Sequence, residues 1–458
     1  MRGLALACLV VASAACGSTP VPPPAPSVVV PPATPTPPPV ASAAPAQPEP
    51  SRQARLIDKM LHRVELARGL KATKPVPGVL LDRAALIARV KEHVTQELPP
   101  EAIRNEGLTL QLLGFVPVDF DYEQAEYKLL QEQLAGYYEP ADGTMYLASD
   151  LDDADAEATL AHELVHALQD QRWNLQERSK YRPGQGDLSE AVSALAEGDA
   201  TSAMFDVTIA RAAPGSGKTA VDVPDEVFAE QIRNGMNEGP SASAPHIMRT
   251  SLAAPYIYGT QLVHALRRQA GWYEVDRAWD NPPTTTEQIL HVEKWRAHEP
   301  ALAVPAPSFT ALGSGWTASD EDSEGELGTR LAFEEWMPAK EAAEASSGWG
   351  GDRGVLLTKG DLSAFAWTVR FDPGKTKDEL AQRSYSTLVA ALGGTATTRD
   401  RGFLCRERAD RGPLAIARSG DELIFTVGPA RTPKGGPWKS EGSCALARRW
   451  SQEIAKAR

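Results

Sequence analysis

From Ser51 onward, apolar residues recur at the spacing of amphipathic helices. In RLIDKMLHRVELARGL, Leu56, Met60, Leu61 and Val64 share a face. Pro75 and Pro77 interrupt the pattern, and RAALIARVKEHVTQEL resumes it. YEQAEYKLLQEQLAGYYEP predicts a third helix, ended by Gly136. GTMYLASD, Gly143 to Asp150, follows the Asp142-Gly143 turn signal and reads as a short strand. A helix then opens behind Asp150, Asp152, Asp153 and Asp155, where negative charge suits a helix N-terminus. It runs through LAHELVHALQDQ, Leu160 to Gln171.

DLSEAVSALAEGDATSAMFDV, YGTQLVHALRRQAG and TTTEQILHVEKW predict further helices, the last ending near the prolines at 300, 305 and 307. Beyond about Ser308 the texture changes. TRLAFEEWM, GVLLTKG, SAFAWTVRFD and DELIFTVGP read as strands, with one helix at ELAQRSYSTLVAAL. The expected fold class is α+β: a mostly helical domain over 51–307 with a short edge sheet, then a smaller α+β domain over 308–458.

The first 50 residues belong to neither domain. Arg2 and the apolar run Leu4 to Val11 have the form of a signal peptide, assigned to 1–16. Two processing routes stay open. Ala12-Ser13-Ala14 suits ordinary signal peptidase, whereas the small residues before Cys16 resemble a lipobox, with Ser13 where leucine is usual. Residues 17–50 are rich in Pro and Ala, cannot pack, and favour polyproline II. At about 3.1 Å per residue such a tether would hold a folded body up to roughly 100 Å from an anchor. The expectation is export to the cell envelope, with membrane contact through a lipid on Cys16; free secretion is the alternative.

A net charge of -13 argues against nucleic acid or an anionic membrane surface as partner. Two of the four cysteines, Cys405 and Cys444, lie beyond the signal segment, and in an exported protein they suggest one disulfide. PGSGKT (214–219) lacks the first glycine of a P-loop, and RDRGFLCRERADR, with its interspersed acids, reads as solvated surface.

The chemistry lies in His162-Glu163-x-x-His166. Positions 162 and 166 are about 40° apart around a helix, so their imidazoles can converge on one ion. Glu163, about 100° around, is placed to reach a water rather than the ion. Leu160, Leu164, Ala167 and Leu168 give the helix an apolar back. With eight histidines in 458 residues, about 0.01 such matches are expected by chance.

A third ligand that leaves one position open is needed. Glu190 and Glu197 share a face of the next helix, and spacing alone does not separate them. Gly198 favours Glu197, because a glycine there permits close approach of backbone or substrate. Asp170, one turn beyond His166, is a candidate acceptor for the outer N–H of a ligand histidine.

HELVHALQDQ followed by ALAEGDAT resembles the gluzincin branch of the zincin metallopeptidases, and more closely a bacterial metallopeptidase-like family. AGYYEP and TMYL upstream resemble it as well. The resemblance implies a zincin-like catalytic domain and one Zn²⁺ on His162, His166 and Glu197. It also implies Glu163 as general base and Gly143 to Ala148 as the edge strand that pairs with an extended peptide substrate. Tyr258 and His291 are candidate donors to a developing oxyanion. The expected function is a zinc metallopeptidase. The rivals are an inactive zincin-like scaffold, which would have no need of Glu163, and a zinc hydrolase of a non-peptide amide.

Overall fold

The computed structural model describes residues 52–150, 153–238 and 240–457. The signal segment, Cys16 and the proline-rich tether lie outside them. Helix α1 (Arg52–Arg68) buries Ile57, Met60 and Val64 along one stripe, with Leu56 left exposed beside it. After the two prolines come strand β1 (Gly78–Leu81) and helix α2 (Arg83–Glu97), whose first turn is capped by the Asp82 carboxylate accepting from Ala85 N–H. Helix α3 (Pro100–Leu113) opens on a proline and stops at Gly114, which takes the left-handed conformation at φ 92°.

Helix α4 (Tyr122–Gln133) ends before the predicted limit. Gly136–Glu139 is instead strand β2, which pairs antiparallel with β3 (Thr144–Ala148) across the Asp142–Gly143 turn. Tyr137 and Tyr146 sit opposite each other with rings stacked at 5.2 Å, and such cross-strand aromatic pairs outweigh a weak helical preference. β1 runs parallel to β3 on its other side. The order is therefore β1-β3-β2, and the expectation of an edge strand at Gly143 to Ala148 is corrected: both sides of β3 are hydrogen bonded. Its unforeseen partner, GVLL, is four residues squeezed between Pro77 and Asp82, too short to show a period.

Helix α5 (Asp153–Trp173) carries the histidine motif and is followed by a single turn, α6 (Leu175–Arg178). Helix α7 (Gly186–Ala212) packs on α5 and, more extensively, on α9 (His246–Ala270); α8 (Asp225–Asn237) lies between them in sequence. Helix α9 starts at His246 rather than at Tyr258 and runs through Pro255. Helix α10 (Trp272–Asp280) follows, and the next predicted helix is two, α11 (Thr286–Leu290) and α12 (Val292–Ala297), broken at His291.

The C-terminal part builds an antiparallel sheet from β4 (Thr317–Asp322), β5 (Trp349–Lys359), β6 (Leu362–Phe371), β7 (Thr398–Asp400), β8 (Phe403–Arg406), β9 (Leu414–Ser419) and β10 (Glu422–Arg431). Its order is β4-β5-β6-β10-β9-β8-β7, with β11 (Lys439–Ser440) on β10. Helices α13 (Gly325–Glu334), α14 (Ala339–Ser346), α15 (Glu379–Leu392) and α16 (Cys444–Lys456) accompany it. The fold is mixed α and β, with a helical region and a β-rich C-terminal domain. TRLAFEEWM is helix α13 and not a strand: Leu331 and Phe333 alternate, but Leu327 one turn earlier shares the buried face with Leu331. Cys405 of β8 and Cys444 of α16 are disulfide bonded.

Apolar packing is continuous from Ile57 to Ala430 across the seam between the two parts. Polar contacts lock it. Asp352 accepts from Ser323 Oγ, from the N–H groups of Glu324 and Gly325, and from the indoles of Trp349 and Trp367. Asp187, at the start of α7, donates its N–H to Ser323 O, and its carboxylate accepts from Thr286 N–H and hydroxyl. Arg408 donates to the carbonyls of Leu112 and Leu113, and Arg411 to those of Gln111 and Val116, which satisfies the C-terminal end of α3. The expectation of a solvated surface at RDRGFLCRERADR is corrected accordingly, since these arginines close the seam.

Candidate metal centre

His162 and His166 project from one face of α5 into its contact with α7. Their Nε2 atoms are 3.1 Å apart, and Glu197 Oε2 lies 3.0 Å from the first and 3.5 Å from the second. All three side chains are buried, as is Glu163. A tetrahedral zinc with bonds of about 2.0–2.2 Å needs its ligand atoms about 3.3–3.5 Å apart, so a triangle of this size fits the ion. Two imidazoles with one carboxylate also form a donor set that leaves a position open. Glu197 Oε1 is buried with no hydrogen-bond partner among the described residues, a cost that a cation would remove.

Glycine explains how Glu197 gets so close. A Cβ on Gly198 would lie 2.1 Å from the carbonyl carbon of Gly259, and one on Gly259 would lie 1.8 Å from Ala194 O. Helices α7 and α9 therefore cross backbone on backbone at the residue after the ligand. Two residues beyond Glu197, Asp199 accepts from Arg68 Nε at 2.5 Å and from the Trp279 indole at 2.8 Å, which ties α7 to α1 and α10.

Glu163 accepts through its Oε2 from Tyr138 N–H of β2 at 2.9 Å. Its second oxygen makes no hydrogen bond with a described residue. In the ion-free cluster, burial and the neighbouring charges move each ionisable group away from its ordinary range. Burial drives Glu163 up to about 8 and pulls His162 down. Burial also pulls on His166, but the Glu197 and Glu163 carboxylates outweigh it and raise it to about 9. For Glu197 the two imidazoles outweigh burial, and it stays below the ordinary range. A divalent cation would displace the proton on His166 and take over the charge balance.

Several sequence candidates find other partners. Asp170 does not touch a histidine: it accepts from Tyr138 Oη and from Gln176 N–H. The residue that orients His166 is Gln169, whose Oε1 is 2.8 Å from Nδ1 and whose Nε2 donates to Ala196 O. Position 169 lies three residues on, where side chains of one helix face meet, and that spacing was available as a signal. Tyr258 packs under the Arg330 guanidinium. The aromatic at the site is Tyr256, stacked on His162 at 5.9 Å. Two helical residues are about 200° apart, so if one faces the cluster the other turns away. His291 pairs with Glu326 of α13. Glu190, two turns before Glu197, is half-buried and lines a cavity at the seam, where burial pushes it up to about 7.

A second group has metal-type spacing, Glu287, Glu299 and Asp372. Lys294 Nζ already sits among them, 2.6, 2.6 and 2.5 Å from the three carboxylates.

Comparison with known proteins adds little to this geometry. Residues 312–433 match a family described as a domain of unknown function (DUF8575). No curated protein matches the chain. Among solved structures, a "putative hydrolase with a novel fold" from Chloroflexus aurantiacus aligns at 17% identity, covering 56% of this chain and 92% of that one, with a TM-score of 0.31. At that TM-score the likeness carries no argument. No helix among the described residues is long and apolar enough to cross a membrane.

Proposed function

We propose that the chain is a zinc-dependent hydrolase of peptide bonds that works in the cell envelope, exported and anchored through Cys16. His162, His166 and Glu197 would hold the ion, and Glu163 would be the general base. The observation that carries this reading is the convergence of three buried ligand atoms within 3.5 Å of one another, with an unused carboxylate oxygen on the adjacent residue of the same helix. A bound zinc supplies Lewis acidity and makes water acidic enough to lose a proton near neutral pH.

The remaining work falls to the chain itself. Tyr138 N–H holds one Glu163 oxygen, leaving the other to take the proton of an attacking water and deliver it to the leaving amine. Gln169 fixes the His166 ring so that Nε2 faces Glu197. The peptide class rests on the H-E-L-V-H-A-L-Q-D-Q and E-G-D-A resemblance, and the Cys405–Cys444 bond suits an oxidising compartment.

One observation favours a second reading, a hydrolase of a compact, non-peptide amide. β3 has no free edge for an extended substrate, and on β2 the Tyr138 amide is taken by Glu163.

Glu163→Gln separates these readings from a scaffold. Metal content and cleavage of a peptide library and of small amides are measured on both proteins. The expected result is about one zinc per chain in each, with cleavage lowered about a thousandfold in the variant, within the roughly 10²–10⁴-fold that a positioned general base contributes. Zinc retained with equal activity in both proteins, or no zinc in either, would sink the proposal.

A further inference from the structure

At the seam between the helical region and the C-terminal domain lies an open-mouthed cavity. Two of its walls lead to the metal cluster. On α9, Leu252 lines it one turn before Tyr256, which stacks on His162. On α7, Glu190 lines it seven residues before Glu197. At 1.5 Å rise per residue that is about 10 Å along the helix, within reach of a long side chain whose backbone lies at the cluster.

The lining has two kinds of chemistry. Leu98, Ile103, Leu110, Ile247, Leu327 and Leu331 make apolar walls. Glu106, Glu126, Glu190, Asp322 and Glu324 add carboxylates, against Arg182 as the one basic lining residue. Glu126, Asp322 and Glu324 have partners within the protein. Glu106 and Glu190 make no hydrogen bond or ion pair with any described residue. Glu106 is only 8% exposed, and its carboxylate has no donor among the described residues. For a carboxylate in such a wall a charged N–H group is the strongest donor.

We propose that this cavity is the specificity pocket for a basic side chain of the substrate, arginine or lysine. Its aliphatic stem lies along the leucines and isoleucines, and its cationic head sits between Glu106 and Glu190. An inorganic cation would use the carboxylates but leave the apolar walls without a role. The inference deepens the peptidase reading and rests on it for the placement of the substrate backbone; binding in the pocket is measurable without cleavage.

The full-length protein, zinc-loaded and chelator-stripped, is titrated calorimetrically with N-acetyl-arginine amide and with its neutral analogue N-acetyl-citrulline amide. Arginine should bind at least about tenfold more tightly than citrulline in both forms, and Glu106→Gln should cut the difference to about threefold or less. Equal binding of the two amides, or no binding of either in the millimolar range, overturns the pocket. That comparison on the parent protein decides the matter even where the variant fails to fold. Cleavage assays separate the two ideas. Arginine discrimination by a zinc-loaded protein that cuts no peptide leaves the pocket standing and removes the peptidase reading. Peptides cut at the same rate with arginine, citrulline or norleucine leave the peptidase reading standing and remove the pocket.

Discussion

Among the described residues, two clusters bring three ligand-type side chains within 4.8 Å of one another, and only one of the two is built for an ion. Around Lys294, three carboxylates converge on an ammonium that the chain itself supplies. Burial would lower the pKa of Lys294, but those carboxylates more than offset it and raise it. Around His162, His166 and Glu197 the positive charge is a proton on an imidazole, which pH or a metal can remove, and one carboxylate oxygen has no hydrogen-bond partner among the described residues. The difference teaches that spacing of ligands does not define a site. What decides is whether the charge balance is covalently fixed or exchangeable.

The largest effect should come from breaking the exchangeable cluster. Glu197→Gln removes one of three ligands and should weaken zinc binding by about a thousandfold, beyond the roughly 10–100-fold lost with an outer partner. Asp372→Asn, by contrast, should leave zinc content unchanged. Competition with a chromogenic chelator reads both.

Next comes Lys294→Met, which strands three carboxylates. Discounted for the partial exposure of the group, the loss should be about 2–3 kcal/mol at pH 7, read by chemical denaturation. It should shrink at pH 5 as the uncompensated acids take up protons, and added zinc should not restore it. Gln169→Leu frees the His166 ring and should cost about tenfold in zinc affinity with little change in melting temperature.

The smallest effect concerns the seam. Burial pushes Asp187 up to about 7, against about 3.9 in the unfolded chain. Between those values the folded state keeps a proton that the unfolded state has released. The stability tied to that proton is complete below about pH 4 and is lost as pH rises through 7. Asp187→Asn keeps the acceptor for Thr286 without the charge. Its melting temperature should fall less than the parent's between pH 5 and pH 8, leaving it about 1–2 °C higher at the alkaline end. Asp352, Glu190 and Glu287, raised in the same direction, keep the slope from vanishing.

What could be read from sequence was what depends on local spacing. His162, Glu163 and His166 are one helical turn, so their relation follows from the period alone. Glu197 needed one further cue, the glycine beside it, and the structure places backbone rather than substrate against that glycine. The long helices α1, α2 and α15 also show their period. Strands β1 and β2 were hidden because four residues carry no periodicity, and β1 in particular finds β3 across more than sixty residues, with α2, α3 and α4 between them. Helix α13 was misread because two apolar residues in a short window satisfy both periods. Tyr256 was missed because the start of α9 was placed past Pro255, a residue that usually ends a helix but here lies within one. Arg408 and Arg411 show the remaining limit: whether a charged run is bathed in water depends on which part of the chain comes to lie over it.

The crossing at Gly198 and Gly259 has a consequence for finding related chains. A methyl group on either glycine would act as a wedge between α7 and α9, so neither position can drift alone without pushing Glu197 off the histidines. A signature for this architecture is therefore longer than H-E-x-x-H. It is H-E-x-x-H, then E-G, then the Y-x-Y-G of 256–259, three fragments scattered over about a hundred residues. A chain with the first two fragments and a bulky residue in the third cannot use this crossing, however well its first fragment matches.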